Sequence, residues 1–314
     1  MSTDSPLFLL ALDHRSGLVR GMLPGQETRA GELLPDAKRL IYEGAAAGLA
    51  QADGQGGGRD ASASRGVATA GRGRPGVLVD EQYGADVARL AKADGWASAV
   101  AIEASGQDEF ELEYGDEAAA HIDALAPDYA KVLVRYNPGS DAGSNARQRE
   151  TLAEVSELVA RSSSELLFEL LVPPTTAQLD SVSGDRDRYD AELRAELTCQ
   201  TIDDFRAAGV VAPMWKLEGL ETVAESEAVA ARTGGAPCIV LGRNAPQERV
   251  EHWLSVAAAA DGWEGFAIGR SIWWNAVSAW IHEGLPRETA IRDIADGYAR
   301  VIEVYRAAQA AAVA

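Results

Sequence analysis

Lysine, histidine and cysteine are scarce in this 314-residue chain, and basic residues as a whole are outnumbered, 29 against 48 acidic, for a net charge of −19. Such a chain lacks the clustered positive charge that displaces counterions from nucleic acid. An anionic bilayer surface repels it. Nucleic-acid and membrane partners are therefore not expected, and the charge reads as a well-solvated surface. No apolar run approaches the roughly 18 residues of a membrane span. The opening stretch MSTDSPLFLLALDHR has no basic start, and its apolar run soon meets Asp13-His14-Arg15, so it does not read as a signal peptide. Cys199 and Cys238 stand far apart with no C-x-x-C spacing, which points to a reduced, cytoplasmic compartment. The four histidines (His14, His121, His252 and His282) show no H-x-H or H-E-x-x-H spacing. Neither a metal nor an organic cofactor is expected.

What remains is ample for a core: 46% of the residues are hydrophobic and 25% charged. Short β-rich runs recur at Leu7–Asp13, Gly76–Asp80, Ser98–Glu103, Lys131–Tyr136, Leu166–Val172, Met214–Glu218, Cys238–Gly242 and Gly265–Gly269. Segments of helical composition lie between most of them, for example Pro35–Ala50, Arg147–Arg161 and Tyr189–Ala208. Strands that alternate with helices are parallel, with right-handed crossovers. Eight such units in 314 residues have the count and size of a single (β/α)₈ barrel spanning the whole chain. A doubly wound sheet is the alternative, but no G-x-G-x-x-G turn follows the first run. Gln51–Pro75, rich in Gly, Ala, Ser and Arg, reads as a flexible loop at the bottom of the barrel, away from the catalytic face.

Only four of the 29 basic residues are lysines. Lys38 and Lys92 fall on predicted helices and are expected in solvent. Lys131 and Lys216 fall inside strands, in AKVLVRY and MWKLEG. Strand residues alternate faces, so Lys216 and Glu218 share one side while Trp215 and Leu217 share the other. The bulky apolar pair belongs against the helices, which turns Lys216 and Glu218 into the barrel. By the same parity Lys131 aligns with Leu133 and Arg135, and Glu169 with Leu167 and Leu171. Alternate strands feed one interior layer, so Lys131 is expected to approach Lys216 with Glu169 between them. Burial and a second cation both disfavour an ammonium. Such a lysine becomes an amine nucleophile that condenses with a ketone, and a neighbouring carboxylate moves the protons.

The strand ends carry more chemistry. LALDHR places Asp13, His14 and Arg15 at the mouth, while LVDEQYG and AIEASGQ place Asp80 and Glu103 there. LGRN and AIGRSIWW end the seventh and eighth strands with Arg243 and with Gly269-Arg270, where barrels commonly bind phosphate. A metal-dependent carbon–carbon lyase using Asp80, Glu103 and Glu218 is one rival reading. A non-catalytic sugar-phosphate-binding barrel is another. Trp273 and Trp274 are expected in core or interface.

In this order, LALDHR, VLVDEQYG, AIEASGQDEFE, KVLVRYNP, LLFELLVPPT, MWKLEGLE, IVLGR and GFAIGRSIW resemble the aldolase-like domain of bacterial myo-inositol breakdown, from Leu7 to Tyr305 apart from the loop. More distantly the chain is similar to class I tagatose-1,6-bisphosphate aldolases. The resemblance implies cleavage of 2-deoxy-5-keto-gluconate 6-phosphate to dihydroxyacetone phosphate and malonate semialdehyde. It implies that Lys216 forms the Schiff base, Glu169 carries protons, Lys131 polarises oxygen and Asp13 orients a hydroxyl. Gly269 and Arg270, with Arg243, would hold phosphate, and Arg135 or Arg15 the substrate carboxylate. A phosphorylated sugar is the expected partner, and a symmetric homo-oligomer is expected on base rates alone.

Overall fold

The computed structural model describes residues 5–54 and 73–313. The first strands and helices are β1 (Leu7–Ala11), α1 (Ser16–Met22), α2 (Ala30–Ala52), β2 (Arg74–Asp80), α3 (Glu81–Ala93), β3 (Ala97–Ala101), α4 (Ala118–Leu125) and β4 (Tyr129–Arg135). There follow α5 (Ala142–Ala160), β5 (Glu165–Leu171), α6 (Thr176–Ser181), α7 (Arg186–Glu192), α8 (Arg194–Ala207), β6 (Met214–Glu218) and α9 (Val223–Ala230). The chain ends with β7 (Cys238–Leu241), α10 (Gln247–Ala259), β8 (Trp263–Ile268), α11 (Arg270–His282) and α12 (Arg287–Val313). The eight strands pair in parallel in chain order, and β8 returns to β1 to close the barrel. This is the single (β/α)₈ barrel expected from the alternation. Gln51 and Ala52 of the expected loop belong to α2, and Arg74 and Pro75 open β2; residues 55–72 lie outside the described residues.

Strand parity sorts the side chains as the pattern requires. Phe8, Leu10, Val79, Phe168, Trp215, Leu217, Val240 and Phe266 join the apolar layer between sheet and helices. Leu7, Leu9, Leu78, Ala99, Tyr129, Leu167, Met214, Ile239 and Ala267 fill the barrel interior below its C-terminal mouth. Each large apolar group so buried stabilises the fold by about 1.5–3 kcal/mol. Polar side chains one layer higher therefore stand on an apolar floor.

Closure depends on glycine at two points. Gly265 has φ +131°, a conformation for glycine, and a Cβ there would overlap the Leu7 backbone. A Cβ on Gly269 would run into the Ala11 carbonyl oxygen. Both let β8 and its exit lie against β1.

Candidate active site

Glu169 and Lys216 are register partners on β5 and β6, and Glu169 is also level with Leu133 of β4. Lys131 starts one inward position deeper, level with Leu167, and its long side chain reaches up to the same place. Lys216 Nζ lies 2.8 Å from Glu169 Oε1, and Lys131 Nζ lies 2.9 Å from Glu169 Oε2. The carboxylate therefore stands between two lysine nitrogens, as strand parity led one to expect. The sequence did not reveal that Lys131 serves three carboxylates at once. Its nitrogen also meets Asp13 Oδ2 at 2.7 Å and Glu103 Oε1 at 2.9 Å.

All of these groups are nearly out of solvent: Lys131 is 0%, Lys216 4%, Glu103 5% and Glu169 6% exposed. Burial works against the Lys131 charge, but Asp13, Glu103 and Glu169 overcome it and raise its pKa well above the ordinary lysine value. Burial also pushes Asp13 and Glu169 upward; Lys131 and Lys216 reverse this and hold both carboxyls below their usual range. Glu103 goes the other way, because burial there outweighs its attraction to Lys131. Lys131 is thus a fixed cation whose charge is balanced by its neighbours.

Above this layer opens a cavity of about 420 Å³, lined by Asp13, Glu103, Lys131, Glu169, Lys216 and the strand-end loops. His14 lines it too, edge-on to Trp273 with ring centroids 5.7 Å apart. Burial, aided by Arg270, Lys38 and Lys216 and opposed by Asp13, pushes the His14 imidazole down to about 4. Gly269 sits at the N-terminus of α11 with no side-chain cap, and Gly269, Arg270 and Ser271 face the cavity. Among the described residues Arg270 makes no ion pair or side-chain hydrogen bond; the same is true of Arg20, which the sequence reading did not single out. Arg270, at an open helix N-terminus, suits an anion, and Arg20, in the last turn of α1, adds a second positive charge to the cavity wall.

The other predicted arginines are engaged. Arg15 is buried, donating to the Glu103 carbonyl at 2.6 Å and to Glu113 Oε2 at 2.8 Å. Arg243, on left-handed backbone at φ +49°, pairs with Asp190 at 2.6 Å and Glu218 at 3.0 Å. Arg135 is exposed at the mouth, with one long contact of 3.4 Å to the Gln107 carbonyl.

Residues 2–309 match the family described as an uncharacterized protein conserved in bacteria (DUF2090). The chain belongs to that family. No curated protein matches it. Among solved structures it is similar to Cgl0159 of Corynebacterium glutamicum, with a TM-score of 0.57, 20% identity, and coverage of 96% of this chain and 87% of that one. It is also similar to the fructose-bisphosphate aldolase of Plasmodium falciparum, with a TM-score of 0.61, 11% identity, and coverage of 98% and 99%. At these identities the likeness is one of fold.

For this DUF2090 chain the geometry corrects one expectation outright. Lys38 is not a solvated helix residue; it is 0% exposed and paired with Asp80 at the barrel mouth. Its position on α2 gave no hint, because helical periodicity does not show how far a long side chain reaches. The three carboxylates of the metal-lyase reading are not brought together. Asp80 is held by Lys38, Glu103 by Lys131 and Arg15, and Glu218 by Arg194 and Arg243. Trp273 is in the core, its indole donating to the Ala11 carbonyl at 2.9 Å.

Proposed function

We propose that this protein is a class I aldolase that cleaves a phosphorylated keto-sugar or keto-sugar acid through a Schiff base on Lys216. The observation that carries this reading is the buried Lys216–Glu169–Lys131 array on the cavity floor. A lysine without a nearby proton carrier is a poor nucleophile, and Glu169 Oε1 lies 2.8 Å from its nitrogen. Glu169 accepts a proton from Lys216, the freed amine attacks the ketone, and the carbinolamine loses water as Glu169 returns the proton. The iminium then draws the electron pair of the neighbouring carbon–carbon bond as that bond breaks. The β-hydroxyl gives up its proton to Glu169, and its carbon leaves as an aldehyde. Reprotonation of the enamine and hydrolysis of the iminium release the second product and restore the lysine.

Lys131 keeps its charge throughout, holding Glu169 and Asp13 in place and polarising substrate oxygen; Asp13 orients a hydroxyl. Gly269 and Arg270 take the phosphate, and Arg243 can join only by leaving Asp190 and Glu218. The finer assignment, from the family resemblance, is 2-deoxy-5-keto-gluconate 6-phosphate giving dihydroxyacetone phosphate and malonate semialdehyde. The substrate's carboxylate end then falls to Arg135, since Arg15 is committed to Glu103 and Glu113.

The test is release of dihydroxyacetone phosphate from that substrate, followed by coupled reduction. Lys216→Met should abolish release and a chelator should leave it unchanged. Release that survives Lys216→Met and falls with the chelator would replace this reading with metal-dependent cleavage. Binding without release would replace it with a sugar-phosphate sensor.

A further inference from the structure

Three of the chain's four lysines are buried, and the reaction above uses two, Lys131 and Lys216. The third, Lys38, leaves α2 and ends between the tops of β1 and β2. Its ammonium donates to the carbonyl oxygens of Leu12 and His14, the latter at 3.2 Å, and to Asp80 Oδ2. Three N–H donors thus meet three acceptors, and a wholly buried charge is left with no unmet proton. The second Asp80 oxygen accepts from Tyr83 N at 2.8 Å and caps α3.

Where those acceptors lie gives the contact its consequence. The sheet ladder reaches Leu12, whose N–H donates to the Leu78 carbonyl at 2.8 Å. From there the chain runs with neither strand nor helix until α1 begins at Ser16. Asp13 lies in this stretch, and the two carbonyls that Lys38 holds belong to the residues on either side of it. Asp13 in turn meets Lys131, and Lys131 meets Glu169. A chain that uses arginine for 25 of its 29 basic residues keeps lysine here. A guanidinium is a planar fork that cannot aim three donors from one atom, whereas an ammonium can.

We infer that Lys38 is a positioning residue of the proposed aldolase site, fixing the backbone around Asp13 and, through Asp13, the Lys131–Glu169–Lys216 array. The inference rests on the Schiff-base reading of that site. The competing explanation is that Lys38 only neutralises buried Asp80. The two are separated by comparing wild type, Lys38→Met, Lys38→Arg and the double variant Lys38→Met with Asp80→Asn. The readouts are urea midpoint, kcat, KM and the rate of borohydride trapping with dihydroxyacetone phosphate.

Lys38→Met alone leaves Asp80 buried without a partner and should lower the midpoint; the double variant removes both charges and should recover it. In the double variant kcat and the trapping rate should remain down on the order of 10- to 100-fold, the cost of a reacting group displaced by a fraction of an ångström to an ångström. KM should stay within about twofold, because no substrate contact has been removed. A double variant that regains wild-type kcat with its stability would overturn the inference. If the double variant does not fold, Lys38→Arg, which keeps the countercharge, decides in its place: wild-type turnover there overturns the inference. A wild type that neither cleaves nor traps removes the site reading and this inference with it; a wild type that traps beside an unimpaired variant removes the inference alone.

Discussion

Lys131 can stay charged on an apolar floor only because Asp13, Glu103 and Glu169 surround it. Removing the ammonium leaves three buried acids facing one another. Lys131→Met should therefore cost about 3–5 kcal/mol, the price of breaking a buried ion pair by deleting one partner. Urea denaturation checks this, and a variant as stable as wild type would contradict it. His14 supplies a second residue-level prediction. Folding lowers its pKa from 6.5 to about 4, so between those values the unfolded chain binds more protons than the folded one. Its contribution to stability is complete above about pH 6.5 and is lost as the pH falls toward 4. His14→Gln should flatten the decline in unfolding free energy across that window; parallel curves for variant and wild type would refute it. Strand parity made Lys131, Glu169 and Lys216 legible in the sequence. Glu103 as a third partner of Lys131, and the ion pairs of Arg15 and Arg243, were not legible. Alternation says which face a residue takes, and it says nothing about which group stands opposite.

At the level of elements, all eight strands were readable because each lies in a short, largely apolar run set between segments of helical or loop composition. The short helices α1 and α6 were not. In α1 the sequence SGLVRGM contains two glycines, which weaken any helical signal. α6 did carry one, the Thr175–Gln178 capping box, but it follows directly on Pro173-Pro174. The expected helix Tyr189–Ala208 divides at Leu193, where ψ is −32° and φ −125°, with no glycine or proline to mark the break. Barrel closure makes the element-level prediction. Gly265→Ala adds a Cβ at a φ of +131° against the Leu7 backbone, with neither strand free to retreat. The loss should exceed the roughly 1 kcal/mol of an ordinary substitution severalfold. Thermal unfolding measures it, and a variant within a degree of wild type would contradict the account of closure.

Across the whole molecule, a net charge of −19 opposes the approach of an anionic substrate. Arg20, Arg135 and Arg270 at the cavity work against that field. The free and engaged arginines could not be told apart in the sequence, since pairing depends on loops that converge only when the barrel closes. The local field predicts that kcat/KM for a phosphorylated substrate falls as ionic strength rises, since screening acts over about 8–10 Å in ordinary buffers. Replacing Arg20 and Arg135 together by glutamine should lower kcat/KM and flatten that dependence. An unchanged salt slope would show that neither arginine steers the substrate.

All of this turns on whether the Lys216 nitrogen becomes covalently bound to a ketone. Reduction with borohydride in the presence of dihydroxyacetone phosphate, followed by intact mass and peptide mapping, answers that directly. The account predicts a single adduct on Lys216 that is lost in Lys216→Met and slowed in Glu169→Gln. An adduct on Lys131 or another lysine, or none at all, would contradict it.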